Sequence, residues 1–180
     1  SPGTRFSFDM LGEGARSDSD ARQYFDAYAE AIEIIGRAGS ADSVQQANGI
    51  SVKLSALHPR YEFRQRRRVM AELLPRLVAL ATRARVHNMG FSIDAEECDR
   101  LELSLDLFSA LARESALADW DGLGFVLQAY QKRAHLVARW LIELARATNR
   151  RFMVRLVKGA YWDGEIKHAQ EQGMTEDRKS

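Results

Sequence analysis

A single cysteine, Cys98, stands in 180 residues, so the chain can form no internal disulfide, and no Cys/His spacing suggests a structural metal. No apolar run approaches the roughly 20 residues needed to span a bilayer. The opening Ser1-Pro-Gly-Thr4 lacks the apolar core of a secretory signal. Neither the Walker nor the Rossmann glycine pattern occurs, so any nucleotide cofactor must be held by strand ends and loops. Charge of one sign is lacking too. Twenty-six Lys and Arg face 25 Asp and Glu, a net +1 that gives no support for a nucleic-acid partner. A reducing cytoplasm is the expected compartment, with peripheral membrane contact left open.

What the chain does contain is a repeat. Five apolar runs recur: Phe6-Ser-Phe-Asp9, Ile50-Ser-Val-Lys53, Phe91-Ser-Ile-Asp94, Phe125-Val-Leu-Gln128 and Met153-Val-Arg155. Strand side chains alternate between two faces. Ser7/Asp9, Ser51/Lys53, Ser92/Asp94, Val126/Gln128 and Met153/Arg155 therefore share one face. Phe8, Ile50/Val52, Phe91/Ile93, Phe125/Leu127 and Val154 take the other and are expected to pack under helices. A polar group closes every strand, at the end where (β/α)8 barrels place their chemistry. The expected fold is α/β, a partial (β/α)8 TIM-type barrel with about five βα units. A complete barrel takes about 250 residues, so the chain is expected to be part of a longer protein.

Helical spacing fills the intervals. Tyr24, Phe25, Tyr28, Ile32 and Ile35 mark a first helix, capped by Ser17 or Ser19 and ended by Gly36 and Gly39. Strand 2 is expected from Ile50 to about Leu54, before a loop, Ser55 to Tyr61, stiffened by Pro59. Val69, Leu73, Leu77, Leu80 and Ala84 mark a second helix, which Pro75 is expected to kink or divide. Asp99, Leu101, Leu105, Phe108 and Leu111 mark a third. Leu136, Trp140, Leu141 and Leu144 mark a fourth, and a fifth begins near Trp162.

Lys53, Asp94, Gln128 and Arg155 each end a strand and are expected to face the barrel mouth. Two cations, a carboxylate and an amide are costly to bury unless they pair with each other or with a ligand. A purely structural network capping the barrel is the competing reading. Lys158-Gly-Ala-Tyr-Trp162 joins a glycine that admits close backbone approach to two flat aromatic faces; a turn whose aromatics only pack is the alternative. Asp94-Ala-Glu-Glu97 has no histidine at ligand spacing, so no metal is expected there. Its acids are expected to be solvated at the start of the third helix. Glu13 either reaches the mouth or is exposed. Arg64-Gln-Arg-Arg-Arg68 spreads around a helix and is expected to be solvated surface. His58 is expected to be a hydrogen-bonding loop residue, and Cys98 lies beside acids with no cation to activate it. A Schiff-base lyase or aldolase using Lys53 or Lys158 is open on these residues.

Five stretches carry a family resemblance: Asp9-Met-Leu-Gly-Glu13, Ile50-Ser-Val-Lys-Leu-Ser-Ala-Leu-His-Pro-Arg-Tyr61, Ile93-Asp-Ala-Glu-Glu97, Gly124-Phe-Val-Leu-Gln-Ala-Tyr-Gln131 and Arg155-Leu-Val-Lys-Gly-Ala-Tyr-Trp162. In order and at fitting spacings over nearly the whole chain, they resemble the proline dehydrogenase domain of the bifunctional bacterial proline utilization A flavoenzymes. The resemblance implies a distorted barrel with non-covalent FAD. It implies oxidation of L-proline to Δ1-pyrroline-5-carboxylate, the first step of proline catabolism to glutamate, by hydride transfer from C5 to the flavin. Electrons would pass to membrane quinone, and the larger polypeptide would carry an aldehyde dehydrogenase domain. By motif, Lys53 resembles the lysine that binds the proline carboxylate, and Asp94 the aspartate that organises the substrate side. Gln128 and Arg155 resemble flavin-ring ligands. Val157, Lys158, Gly159, Ala160, Tyr161 and Trp162 resemble the flavin-contacting turn, with Tyr161 also near substrate. Glu13 resembles a residue supporting the substrate pocket.

The family continues with three more strands, a Thr-His-Asn flavin motif and a helix whose paired arginine clamps the substrate carboxylate. Residues 1–180 are thus expected to be the N-terminal part of an incomplete dehydrogenase barrel. That piece alone is expected not to turn over proline, and a non-catalytic barrel fragment is the remaining alternative.

Overall fold

A computed structural model of the chain describes residues 4–12, 14–39, 41–161, 163–164 and 166–167. Five strands, β1 (Ser7–Asp9), β2 (Gly49–Val52), β3 (Gly90–Ile93), β4 (Leu123–Gln128) and β5 (Met153–Val157), form one parallel sheet in sequence order. Parallel neighbours require crossovers. These run through α1 (Asp18–Ala38), the single turn α2 (Leu54–Leu57), α3 (Arg66–Val86), α4 (Leu101–Ala112) and α5 (Ala134–Thr148). Among the described residues, no helix is long and apolar enough to cross a membrane.

The sheet curls into a half-barrel. In a flat sheet, four spacings of about 4.8 Å would separate β1 from β5 by about 19 Å, beyond the reach of an arginine. Yet Arg155 Nη1 on β5 donates to Ser7 Oγ on β1 at 2.9 Å. Register then sets the inner face. Asp9, Ser51, Ser92, Gly124 and Met153 lie in one row across the strands. Two residues further along each strand, Lys53, Asp94, Val126 and Arg155 form the next row, at the C-terminal rim.

The core lies between the outer face of the sheet and the helices. Ile50, Val52, Phe91, Ile93, Phe125 and Leu127 pack there against helical residues such as Tyr28, Leu77 and Leu107, all buried. Phe108 sets its edge against Phe125 and Phe152, at centroid distances of 5.3 and 4.9 Å. Of the two serines, Ser17 caps α1, in a reciprocal capping box with Asp20.

Several expectations need correction. α1 runs through Gly36 and ends at Gly39. A Cβ on Gly36 would lie 2.2 Å from the His87 ring, so that glycine serves packing between α1 and α3 and not termination. Pro75 neither divides α3 nor ends it. Its ring is on the exposed side, while Val69, Leu73, Leu77, Leu80 and Ala84 are buried on both sides of it and hold the helix together. Strand 2 stops at Val52, and Leu54 is buried at the start of α2. Phe8 and Val154 are not covered by helices. They are 41% and 52% exposed, because β1 and β5 are the two edges of the sheet. α5 buries Val137, Leu141 and Leu144, and Leu136, one position off that stripe, is exposed. The expected fifth helix falls largely outside the described residues, as do Glu13 and Trp162.

Candidate active site at the C-terminal rim

Asp94 is the hub of the rim. Its Oδ2 accepts from Lys53 Nζ at 2.8 Å. Its Oδ1 accepts from Arg155 Nη2 at 3.3 Å and from the Ala95 amide at 2.9 Å. Strand alternation puts all three side chains on the inner face, and the register brings them level. Arg155 also approaches Asp9 Oδ1 at 3.7 Å. Lys53 and Arg155 are thus balanced by Asp9 and Asp94, which makes the cluster tolerable in a half-buried setting. Burial alone would lower the Lys53 ammonium, but the hydrogen bond and charge of Asp94 outweigh it and hold its pKa above the usual lysine value. A Schiff-base nucleophile needs a neutral amine, so Lys53 is set up against that chemistry. Lys158 is exposed and does not line the cleft described next.

Above the rim row lies a cleft of about 320 Å3, lined by Lys53, Asp94, Gln128, Arg155, Val157, Gly159, Ala160 and Tyr161, with Ala95 and Val126. The structure thus brings together most of the residues singled out in the sequence. Gln128 is buried, and its Nε2 donates to the Glu96 carbonyl at 2.8 Å. That bond settles which way the amide points, and leaves Oε1 buried with no partner among the described residues. Arg155 Nε is likewise buried and unpartnered. Both residues line the cleft, and each keeps one polar atom unsatisfied among the described residues.

The rim is braced from behind by residues whose role was not legible beforehand. Glu96, expected to be solvated, is buried. Its Oε1 accepts from the Ser55 amide at 3.0 Å and its Oε2 from Arg100 at 2.8 Å. Burial raises its pKa above the ordinary carboxylate value, with the Ser55 and Arg100 contacts opposing. Ser55 in turn accepts from the Gly14 amide through Oγ and from the Ala15 amide through its carbonyl, at 3.2 and 2.8 Å. The segments after β1, β2 and β3 and the end of β4 are so tied together through Glu96. Tyr28 of α1 accepts from the Lys53 amide at 3.2 Å. Its place on an apolar helical stripe made it look like core alone. His58 is the hydrogen-bonding loop residue expected. Its Nδ1 accepts from the Arg60 amide at 3.1 Å, so its Nε2 is the nitrogen that meets Glu72 at 3.0 Å. In the basic run, Arg64, Arg66 and Arg68 pair with Glu62, Asp106 and Glu72.

A family model described as proline dehydrogenase matches residues 1–177. The chain is 55% identical over 172 residues to the bifunctional protein PutA of Salmonella typhimurium, covering 96% of this chain and 13% of that protein. It is 51% identical over 174 residues to the bifunctional PutA of Rhizobium meliloti, covering 97% and 14%. A crystal structure of proline utilization A from Bradyrhizobium japonicum matches at 59% identity and a TM-score of 0.91, over 96% of this chain and 18% of that one. The Bdellovibrio bacteriovorus protein, inactivated by N-propargylglycine, matches at 27% identity and a TM-score of 0.86, over 98% and 20%. The chain therefore spans 13–14% of the length of the curated relatives it matches. With nearly every residue inside the family model and half or more identical to these curated relatives, the chain belongs to the proline dehydrogenase family.

Proposed function

We propose that this segment supplies the substrate floor and part of the cofactor cradle of an FAD-dependent proline dehydrogenase within a longer polypeptide. The observation that carries the reading is the rim row, in which Lys53, Asp94 and Arg155 meet beneath a cleft walled by Gln128 and the Gly159 turn. Family membership supports it, and the curated relatives are named as bifunctional proteins. The cleft fits a flat polar ring system. Gln128 Oε1 awaits a donor and Arg155 Nε awaits an acceptor.

Gln128, Arg155, Val157, Gly159, Ala160 and Tyr161 would hold FAD, with Trp162 and Lys158 in the same turn. When bound, FAD accepts the hydride removed from C5 of L-proline, giving Δ1-pyrroline-5-carboxylate; quinone is the proposed final acceptor. The residues of the chain orient and polarise. Lys53 uses one of its three N–H donors on Asp94, so two are left for the substrate carboxylate. Asp94 fixes the directions of Lys53 and Arg155 together. Arg155 places a positive charge against the cofactor, where it favours the reduced form. Tyr161 and Glu13 would shape the substrate side. An aldehyde dehydrogenase domain elsewhere in the polypeptide, and peripheral association with the inner membrane, complete the proposal.

The test uses the complete polypeptide loaded with FAD. L-proline added without oxygen should bleach the oxidised flavin. Arg155→Met should slow that step more than it weakens proline binding, since a charge acting as the ring is reduced appears in kcat. No bleaching by L-proline would refute the reading.

A further inference from the structure

The turn after β5 is pinned by a residue outside the proposed ligand set. The β4–β5 ladder continues past both strand ends, with Ala129 N–H on the Val157 carbonyl at 2.8 Å and Tyr130 N–H on the Lys158 carbonyl at 3.3 Å. Gly159 then turns with φ +117°, a conformation that side-chain-bearing residues rarely adopt. The Tyr130 ring lies directly on its α-carbon. A Cβ at Gly159 would stand 2.2 and 2.4 Å from Tyr130 Cδ1 and Cε1, and 2.9 Å from Gln128 Oε1. Gly159 is thus seated between the Gln128 amide, at the end of β4, and the Tyr130 ring, two residues beyond it.

We propose that Tyr130 is a positioning residue for the cofactor. It acts through Gly159, holding the Lys158–Ala160 backbone and the Gln128 amide at the separation the cofactor requires. This rests on the FAD reading above. The Tyr130 ring supplies the two atoms nearest that Cβ position, and once it is removed a glycine at positive φ has many other conformations to enter.

The test compares Tyr130→Phe, Tyr130→Ala, Gly159→Ala and the double variant Tyr130→Ala/Gly159→Ala in the complete polypeptide. Three quantities are read: the flavin dissociation constant, the visible bands of the bound flavin, and hydrogen exchange of amides 157–161 against those of β2 and β3. Tyr130→Phe should match the parent, since the ring is what packs. Tyr130→Ala should weaken flavin binding at least tenfold, shift the bands of retained flavin and speed exchange at 157–161 at least tenfold. The β2 and β3 amides should stay as protected as in the parent, separating a moved turn from an unfolded barrel. Gly159→Ala should cost less affinity, and accelerate exchange less, on the Tyr130→Ala background, because the ring it strikes is gone. Unchanged exchange at 157–161 in Tyr130→Ala, failure of phenylalanine to rescue, or strictly additive effects of the two alanines would each overturn the proposal. A parent polypeptide that retains no flavin would instead overturn the cofactor reading, and the exchange cycle would still decide Tyr130.

Discussion

Asp94 accepts three donors at once, so loss of any one leaves a carboxylate that is still held. Lys53→Met should therefore keep the rim in place and FAD bound, while removing one charge from the cleft. A charge-assisted hydrogen bond to a buried carboxylate contributes about 1.5–3 kcal/mol, so a carboxylate inhibitor should weaken roughly tenfold to a hundredfold. Its amide analogue should be indifferent. Titration of both ligands by flavin absorbance checks this, and equal weakening would mean that Lys53 only holds the mouth in shape. Glu96 supplies a pH prediction. Burial raises its pKa above the ordinary 4.5. The folded state then keeps a proton that the unfolded chain releases over the window above that value. The stability linked to Glu96 is fully present below the unfolded pKa and is lost as pH rises through the folded one. Glu96→Gln lacks that slope. Relative to the parent, the glutamine variant should gain stability as pH rises above the ordinary carboxylate value of 4.5, read from denaturant midpoints of exchange-labelled β2 and β3 peptides. Parallel pH profiles for the two proteins would refute this.

Elements in this chain are held more by their buried stripes than by local propensity. α3 shows this best. Pro75 removes the N–H that would bond to the Ala71 carbonyl, and a mid-helix proline costs about 3 kcal/mol relative to alanine. The helix nonetheless runs from Arg66 to Val86, since fully buried Leu73 and Leu77 flank the proline. Pro75→Ala should stabilise α3 by roughly 1–3 kcal/mol, the deficit from the full figure being the chain entropy that proline removes from the unfolded state. Slower hydrogen exchange across residues 71–79 is the expected result; equal or faster exchange would show that the helix has adapted to its proline. The helical stripes of α1 and α3 were legible at their buried positions, while in α4 only Phe108 and Leu111 were, since buried Leu103 and Leu107 lie off the expected pattern. Boundaries were not, because Gly36 and Pro75 carry strong local signals that His87 packing and the leucine stripe override.

At the scale of the whole molecule, the half-barrel leaves its edges bare. Phe6, Phe8, Val154 and Leu156 are 57%, 41%, 52% and 66% exposed on β1, β5 and the residue before β1. Open parallel edges beside such side chains are templates for association. The 180-residue chain produced alone should self-associate and should not oxidise proline. Size exclusion with light scattering, together with an assay using added FAD and an artificial acceptor, checks both. A monodisperse monomer turning over at about 1 per second or more would contradict the expectation.

Strand periodicity, the order of βα units and the polar residue at each strand end were determined by the sequence itself. Alternation along a strand is a local property, and one residue decides the face of the next. Lys53, Asp94, Gln128 and Arg155 were therefore legible as inward-facing. Their mutual bonds were not, since the reach of Arg155 to Ser7 depends on how far the sheet curls. Nor could the run Asp94 to Glu97 say which acid is buried. Glu96 meets Ser55 from 41 residues away only because β2 and β3 are neighbours in register. Tyr28 and Tyr130 show the same limit. The first resembled core and the second was not singled out, until the tertiary structure set the first against the Lys53 amide and the second on Gly159.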